Sequence, residues 1–325
     1  MSAGDPPSTA PRAAHGALPH FAVDIAPPDL APWRAGNTGV PGFTSVAAPA
    51  PGPHVVLLAL THGNELAGAI VLDALLRGGI TPARGRLTIG FANLAAFDRF
   101  DPAQPTMSRF VDEDFNRIWD PAVLDGPRRS VELYRARQIR PIVESADIVL
   151  DLHSMLWGSE PLILSGAAPR GRTLAEAVGV PGLVIADAGH LNGRRIIDHP
   201  RFTEAGRLPA AVLVEAGQHW SADTVATTRR SVARLLHHAG MATEAPPAAS
   251  PLRYAEVTAT ITAATAGFAF VREFRGGEVI PRRNTIIALD GEAEIRTPYD
   301  NCMLVMPSLR PGRGHTAVRL AKLGA

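Results

Sequence analysis

The chain has 325 residues, 46% of them hydrophobic and 19% charged, with 32 Lys plus Arg against 31 Asp plus Glu and a formal net charge of +1. This composition excludes a wholly disordered chain, and the charge balance gives no general electrostatic reason to bind nucleic acid or an acidic membrane surface. The one cysteine, Cys302, excludes an intramolecular disulfide and a cysteine-rich zinc module; its setting, Cys302-Met303-Leu304-Val305-Met306, marks a packed core thiol.

At roughly 150 residues per domain, the length suits about two domains. Residues 1–19, rich in Ala, Pro and Ser, read as a disordered tail. Residues 20–53 keep many prolines but add Phe21, Val23, Ile25, Trp33 and Phe43, and read as extended covering structure with an early strand around Phe21–Ile25. No run approaches the ~20 apolar residues of a membrane helix, and the N-terminus lacks the continuous apolar stretch of a secretory signal. A soluble, cytoplasmic protein is the expectation.

From Val55 the pattern sharpens. Val55–Leu60 is a continuous apolar run, as in a strand buried on both faces. Leu66, Ile70, Leu72, Leu75 and Leu76 then recur at helical spacing until Gly78-Gly79. Further strands are expected at Arg86–Asn93, Ala146–Leu152, Leu183–Ala186 and Ala211–Val214. Helices are expected at Val131–Glu144, interrupted or restarted near Pro141, at Thr173–Val178 and at Asp223–His238. Buried strands alternating with helices imply an α/β unit closed on both faces. Glu244–Pro251 reads as a linker, followed by short strands at Arg253–Ile261, Phe268–Phe274, Thr285–Leu289 and Cys302–Met306. The expected division is a catalytic α/β domain over 20–245 and a β-rich C-terminal domain over 246–325.

The chemistry is concentrated at the ends of the apolar strands. Thr61-His62-Gly63-Asn64-Glu65 sits where a strand passes into a helix, the place where open α/β sheets hold ligands. Imidazole and carboxylate converging from one turn suit zinc, although an H-x-x-E spacing alone is weak. Asp151-Leu152-His153-Ser154 ends another apolar run, so His153 is expected on the same rim. Two histidines and a glutamate with an open fourth position make the ligand set of a catalytic zinc. Asp151 is expected on the opposite side of its strand, either as a hydrogen-bond partner of the site or as a solvated acid. Glu215, closing the apolar run Ala211–Val214, is a candidate general base, with a structural ion pair as the alternative. In Arg109-Phe110-Val111-Asp112-Glu113-Asp114-Phe115-Asn116-Arg117, Arg117 offers a planar fork for a carboxylate, Asn116 further hydrogen bonds, and Arg109 a donor to an oxyanion. Asp112 and Glu113 are read as partners of the arginines.

The order H-x-x-E, R-x-x-D-x-D-x-N-R, D-L-H and a strand-terminal V-E-x-G resembles the succinylglutamate desuccinylase/aspartoacylase family, within the zinc carboxypeptidase-like superfamily. The resemblance spans roughly residues 54–220, and more loosely Thr297–Cys302. It implies a mixed α/β sheet flanked by helices, with a small C-terminal all-β domain over the cleft. It also implies one zinc ion held by His62, Glu65 and His153, with Glu215 activating water and protonating the leaving amine. Arg109 would polarise the scissile carbonyl, and Asn116 and Arg117 would hold a substrate carboxylate. His190, Arg194 and Arg195 are further candidates for substrate contact, with a solvated basic loop as the alternative, and Tyr299 is a weaker one. His219 and Trp220 either line the pocket or cap the following helix, and His237 and His238 complement a helix dipole.

The implied activity is zinc-dependent hydrolysis of a small, anionic N-acylated amino acid or related acyl amide. A zinc carboxypeptidase acting on a peptide or peptidoglycan fragment shares every one of these groups. A silent, ligand-binding member of the fold is the third reading, and the retention of all four site residues speaks against it. No nucleic acid or membrane partner is expected, and self-association into a homo-oligomer stays open.

Overall fold

The computed structural model describes residues 18–190 and 192–324. The tail expected over 1–19 lies, apart from its last two residues, outside them. The strands are β1 (Phe43–Ala47), β2 (His54–Ala59), β3 (Arg86–Phe91), β4 (Ile148–Met155), β5 (Leu162–Leu164), β6 (Leu183–Ala186) and β7 (Ala210–Gln218). Helices α1 (Leu66–Arg77), α2 (Leu94–Phe97), α3 (Pro121–Leu124), α4 (Val131–Ser145), α5 (Pro169–Val178) and α6 (Pro200–Thr203) connect them, and α7 (Ala222–His238) follows β7. The C-terminal part holds β8 (Arg253–Thr262), β9 (Phe268–Phe270), β10 (Val279–Ile280), β11 (Ile286–Asp290), β12 (Ala293–Arg296), β13 (Cys302–Val305) and β14 (Thr316–Leu323).

The main sheet runs in the order β1-β3-β2-β4-β7-β5-β6-β8-β14-β13-β10. Its centre is parallel, with β3, β2, β4 and β7 side by side. Alternation across the pleat explains why β2 is apolar from Val55 onward: Val55, Leu57 and Ala59 face one core while Val56 and Leu58 face the other. β8 joins β6 in parallel, and β14, β13 and β10 extend the sheet antiparallel. A second sheet, β12-β11-β9, completes the C-terminal part. The fold class is the expected one: a mixed sheet flanked by helices, followed by antiparallel β structure.

Several boundaries differ from the sequence reading. Phe21–Ile25 forms no strand; its Asp24 nitrogen donates to the Trp220 carbonyl at 3.1 Å, and Phe21, Val23 and Ile25 pack on the core as a strap. α4 runs unbroken through Pro141; a single proline removes one donor but leaves the apolar face of Leu133, Ala136, Ile139 and Val143 intact to hold the helix down. β4 and β7 reach past the apolar runs to Met155 and Gln218, so His153 and Glu215 lie inside paired strands. Among the elements that sequence patterning missed is β14, which pairs with both β8 and β13.

Candidate metal and active site

β2 ends in a sharp turn. Leu60 takes a left-handed conformation (φ 58°) although fully buried, an uncommon state for a leucine that redirects the chain into the His62 loop. A Cβ on Gly63 would lie 2.4 Å from the backbone of Ala96 and Phe97 and 2.6 Å from the Ser108 carbonyl oxygen, so close backbone approach excludes any side chain there. The loop thus presses His62 and Glu65 against the ends of β4 and β7. In the parallel pairing of these strands His153 stands opposite Glu215.

His62, Glu65 and His153 are 3%, 2% and 3% exposed, and one candidate ligand atom from each lies within 4.8 Å of the others. Glu65 Oε1 is 2.7 Å from His62 Nδ1, and its Oε2 is 2.9 Å from His153 Nδ1. The outer nitrogens are held from behind. His62 Nε2 is 2.9 Å from Asp114 Oδ1, and His153 Nε2 is 2.8 Å from Asp151 Oδ2. Asp151 therefore shares a face with His153, as residues two apart on a strand must; the expectation that it points the other way is corrected. Its second oxygen accepts from Thr61 Oγ1 at 2.7 Å. Two imidazoles oriented by carboxylates, plus a third carboxylate, form a donor set suited to a transition metal.

The electrostatics agree with that fit. Burial opposes ionisation of Glu65 and Asp114, yet the imidazoles beside Glu65, and His62 with Arg109 and Arg117 beside Asp114, hold both well below the ordinary carboxylate range. Burial likewise opposes a charge on His153, but Asp151 and Glu65 override it and raise its pKa well above the usual value. Positive charge is drawn to this point, which is where a cation would sit. Glu215 behaves differently. Burial pushes its pKa up to about 8, only partly offset by His153 and Arg109, and its Oε2 is buried with no hydrogen-bond partner. A carboxyl group of this kind is poised for proton transfer.

The charged loop 109–117 is anchored by a residue that the sequence did not single out. Glu132, fully buried at the start of α4, accepts from the backbone nitrogens of Val111 (2.7 Å), Asp112 (3.0 Å) and Glu113 (3.2 Å) and from Asn93 Nδ2 (3.0 Å). Asp112 accepts from the Val131 nitrogen, and Glu113 pairs with Arg128, so neither meets the loop's own arginines. Arg109 reaches Asp114 Oδ2 at 3.1 Å and Glu65 Oε1 at 3.4 Å. Asn116 is buried; its Oδ1 accepts from the Ile196 nitrogen at 2.9 Å and its Nδ2 lies 3.4 Å from His153 Nε2. Arg117 donates to the Asn116 carbonyl at 2.6 Å, and burial lowers its pKa to about 10.

The other candidates separate. Arg195 is 1% exposed and donates to Asp187 and Asp198, bracing the segment beside Asn116. Arg194 pairs with Asp120 at 2.9 Å with nearly half its side chain exposed. His190 lies against Arg319, and burial together with that guanidinium lowers its pKa. Tyr299 bonds Thr258 at 2.6 Å in the C-terminal core. Arg319, from the unanticipated β14, is buried, 3.1 Å from Asp187, and close enough to influence Arg117 and Glu215 electrostatically.

A cavity of about 280 Å³ opens on the cluster, bounded on its polar side by His62, Glu65, Arg109, Glu215 and His219. His219 thus lines the pocket; burial lowers its pKa to about 3, and its Nδ1 lies 2.8 Å from Ser154 Oγ. Trp220 is buried with Nε1 donating to the Asn64 carbonyl, and Ser221 caps α7.

The sequence profile of the succinylglutamate desuccinylase/aspartoacylase catalytic domain matches residues 51–239, more than half of the chain and a span that contains every residue of this cluster. The chain belongs to that family. Among solved structures, it is similar to succinylglutamate desuccinylase from Vibrio parahaemolyticus (TM-score 0.65, 16% identity, 88% of this chain and 87% of that one). It is also similar to a succinylglutamate desuccinylase/aspartoacylase from Rhodobacter sphaeroides (TM-score 0.64, 18% identity, 87% and 89%). A third is the ectoine utilization protein EutE (DoeB) from Ruegeria pomeroyi (TM-score 0.61, 18% identity, 86% and 88%). At such identities the likeness concerns the fold. A search of curated protein sequences finds no match. Family and fold together make the chain a deacylase-type hydrolase, and among the described residues no helix is long and apolar enough to cross a membrane.

Proposed function

We propose that the protein hydrolyses the amide bond of a small N-acylated amino acid, or a related acyl amide, at a zinc centre formed by His62, Glu65 and His153. The observation that carries this reading is the pairing of that buried ligand cluster with an unpartnered Glu215 across one strand pair. Zinc, when bound, would supply Lewis acidity to the attacking water and to the carbonyl oxygen.

The chain's own groups divide the remaining work. Glu215 takes a proton from the attacking water at its carboxylate and delivers it to the departing nitrogen; one C–O bond forms, one C–N bond breaks, and the products are a carboxylic acid and an amine. Arg109, held at the cavity wall by Asp114 and Glu65, presents a guanidinium to the oxygen on which charge develops. Arg117 and Asn116 receive the carboxylate of the amino-acid part, with Arg319 adding positive potential from β14. Asp151 and Asp114 orient the imidazoles. The cavity of about 280 Å³ beside the cluster has room for a small acyl group.

The test is a panel of N-acylated amino acids incubated with zinc-loaded protein. Release of free amine from members of the panel supports the reading, and robust cleavage of peptides alone would sink it. Glu215→Gln should keep the metal and lose about 10³-fold or more in kcat.

A further inference from the structure

We infer that the acyl half of the substrate is an uncharged, apolar group, seated on a wall made by Met155, Leu156, Trp157, Met306 and Pro307. This rests on the hydrolase reading above and specifies which amides it concerns. These five residues line the same cavity as His62, Glu65 and Glu215. Asn116, Arg117 and Arg319, the groups suited to an amino-acid carboxylate, lie outside it. The two ends of the substrate are thereby sorted: the carboxylate belongs on the arginine side and the acyl group on the apolar side.

Charge reinforces the assignment. The guanidinium bordering the cavity is that of Arg109, already paired with Asp114 and Glu65. His219, held neutral by burial, offers no compensating charge. Two of the hydroxyls nearby are committed: Ser154 Oγ to His219, and Ser159 Oγ to the Glu160 carbonyl. A carboxylate at the end of an acyl chain, as in a succinyl group, would lie against this apolar wall with no cation among the described lining residues beyond Arg109, which the proposed reaction itself engages. Burying such a charge unpaired is costly. An alkyl or aryl group meets instead two thioethers and an indole, adaptable apolar surfaces.

The wall is also built in place. Trp157 is braced edge-on by Phe21 at 5.6 Å, and Phe21 in turn packs edge-on against Trp220 at 5.7 Å, so the N-terminal strap supports the pocket. Met155 follows a register shift in β4 that comes directly after His153. Met306 adopts φ 49°, a left-handed state that is rare for a non-glycine residue and disfavoured before a proline. Strain of this kind persists where surrounding structure demands it, and here it fixes a cavity-lining residue. At about 280 Å³ the space is near the lower end of the range for small-molecule sites, roughly 300–1,000 Å³.

The experiment uses full-length zinc-loaded protein in two arms. The first measures kcat/KM for N-acetyl, N-hexanoyl, N-benzoyl and N-succinyl derivatives of the same set of amino acids. The second measures binding of hexanoate, benzoate and succinate by calorimetry, without any turnover. Hexanoyl or benzoyl substrates are expected to exceed the succinyl substrate by at least about tenfold, with hexanoate or benzoate binding more tightly than succinate. Met306→Arg, which places a cation on the apolar wall, is expected to narrow or reverse both differences. Turnover that favours the succinyl substrate, or tighter binding of succinate, would overturn the inference while leaving the hydrolase reading intact. Tight binding of hexanoate or benzoate with no hydrolysis of any amide would support the apolar site and overturn the hydrolase reading instead.

Discussion

Two sides of one cavity are built on opposite plans. On the polar side, Arg109, Asp114, Asp151 and Glu65 are tied to one another or to the imidazoles by contacts between 2.7 and 3.4 Å. On the apolar side, Met155, Leu156, Trp157, Met306 and Pro307 depend on shape, on the Phe21 brace and on one left-handed residue. The first arrangement tolerates almost no change, because removing one member of a buried charged network leaves the others unpaired. The second can be altered residue by residue without disturbing the chemistry. On the proposed reading the reaction belongs to the polar side, and the choice of acyl group to the apolar one.

Substitutions should separate the two sides. The largest expected effect is on the polar side. Glu132→Ala strips the acceptor from three backbone nitrogens of the 109–117 loop and is expected to cost on the order of 3 kcal/mol of stability by thermal or denaturant unfolding. Activity should fall across all substrates alike, and a change in acyl preference would contradict the separation.

The next effect depends on pH. Folding raises the pKa of Glu215 from its ordinary 4.5 to about 8. Its carboxylate therefore destabilises the metal-free fold increasingly as pH rises through that window, and not at all below it. Metal-free Glu215→Gln is expected to melt above the parent near pH 8 and to converge with it near pH 4, whereas identical melting at both would remove the burial argument. The smallest effect belongs to the strap. Phe21→Ala should raise KM severalfold for substrates with apolar acyl groups, with little change in kcat or in zinc content. Uniform loss of kcat would tie the strap to the chemistry instead.

The candidate site was legible in the sequence because its polar residues interrupt or follow apolar runs. His153 and Glu215 stand in otherwise apolar strands and His62 and Glu65 in the turn that directly follows one, and the profile match covers all four. The same reasoning would have found Arg319, a lone cation in Thr316-Ala317-Val318-Arg319-Leu320-Ala321, had the segment been read as a strand. Glu132 left no such mark. It lies on a helix whose polar positions look solvated, and its partners are backbone groups some twenty residues away. Arg194 and Arg195 look alike in a basic loop, yet one is half exposed and the other wholly enclosed by Asp187 and Asp198. The apolar wall was illegible for a further reason: Met155 and Met306 are far apart in the chain and carry no chemistry of their own, so only the tertiary fold brings them together.

The central claim is that His62, Glu65 and His153 form a hydrolytic metal centre. Its most direct test is to strip the protein with a chelator and follow hydrolysis of an N-acylated amino acid while zinc is added back. The account predicts negligible rate without metal and a linear rise that reaches its plateau at one zinc per chain, with no recovery in Glu65→Ala. Full activity in the stripped protein, or full recovery in the variant, would contradict it.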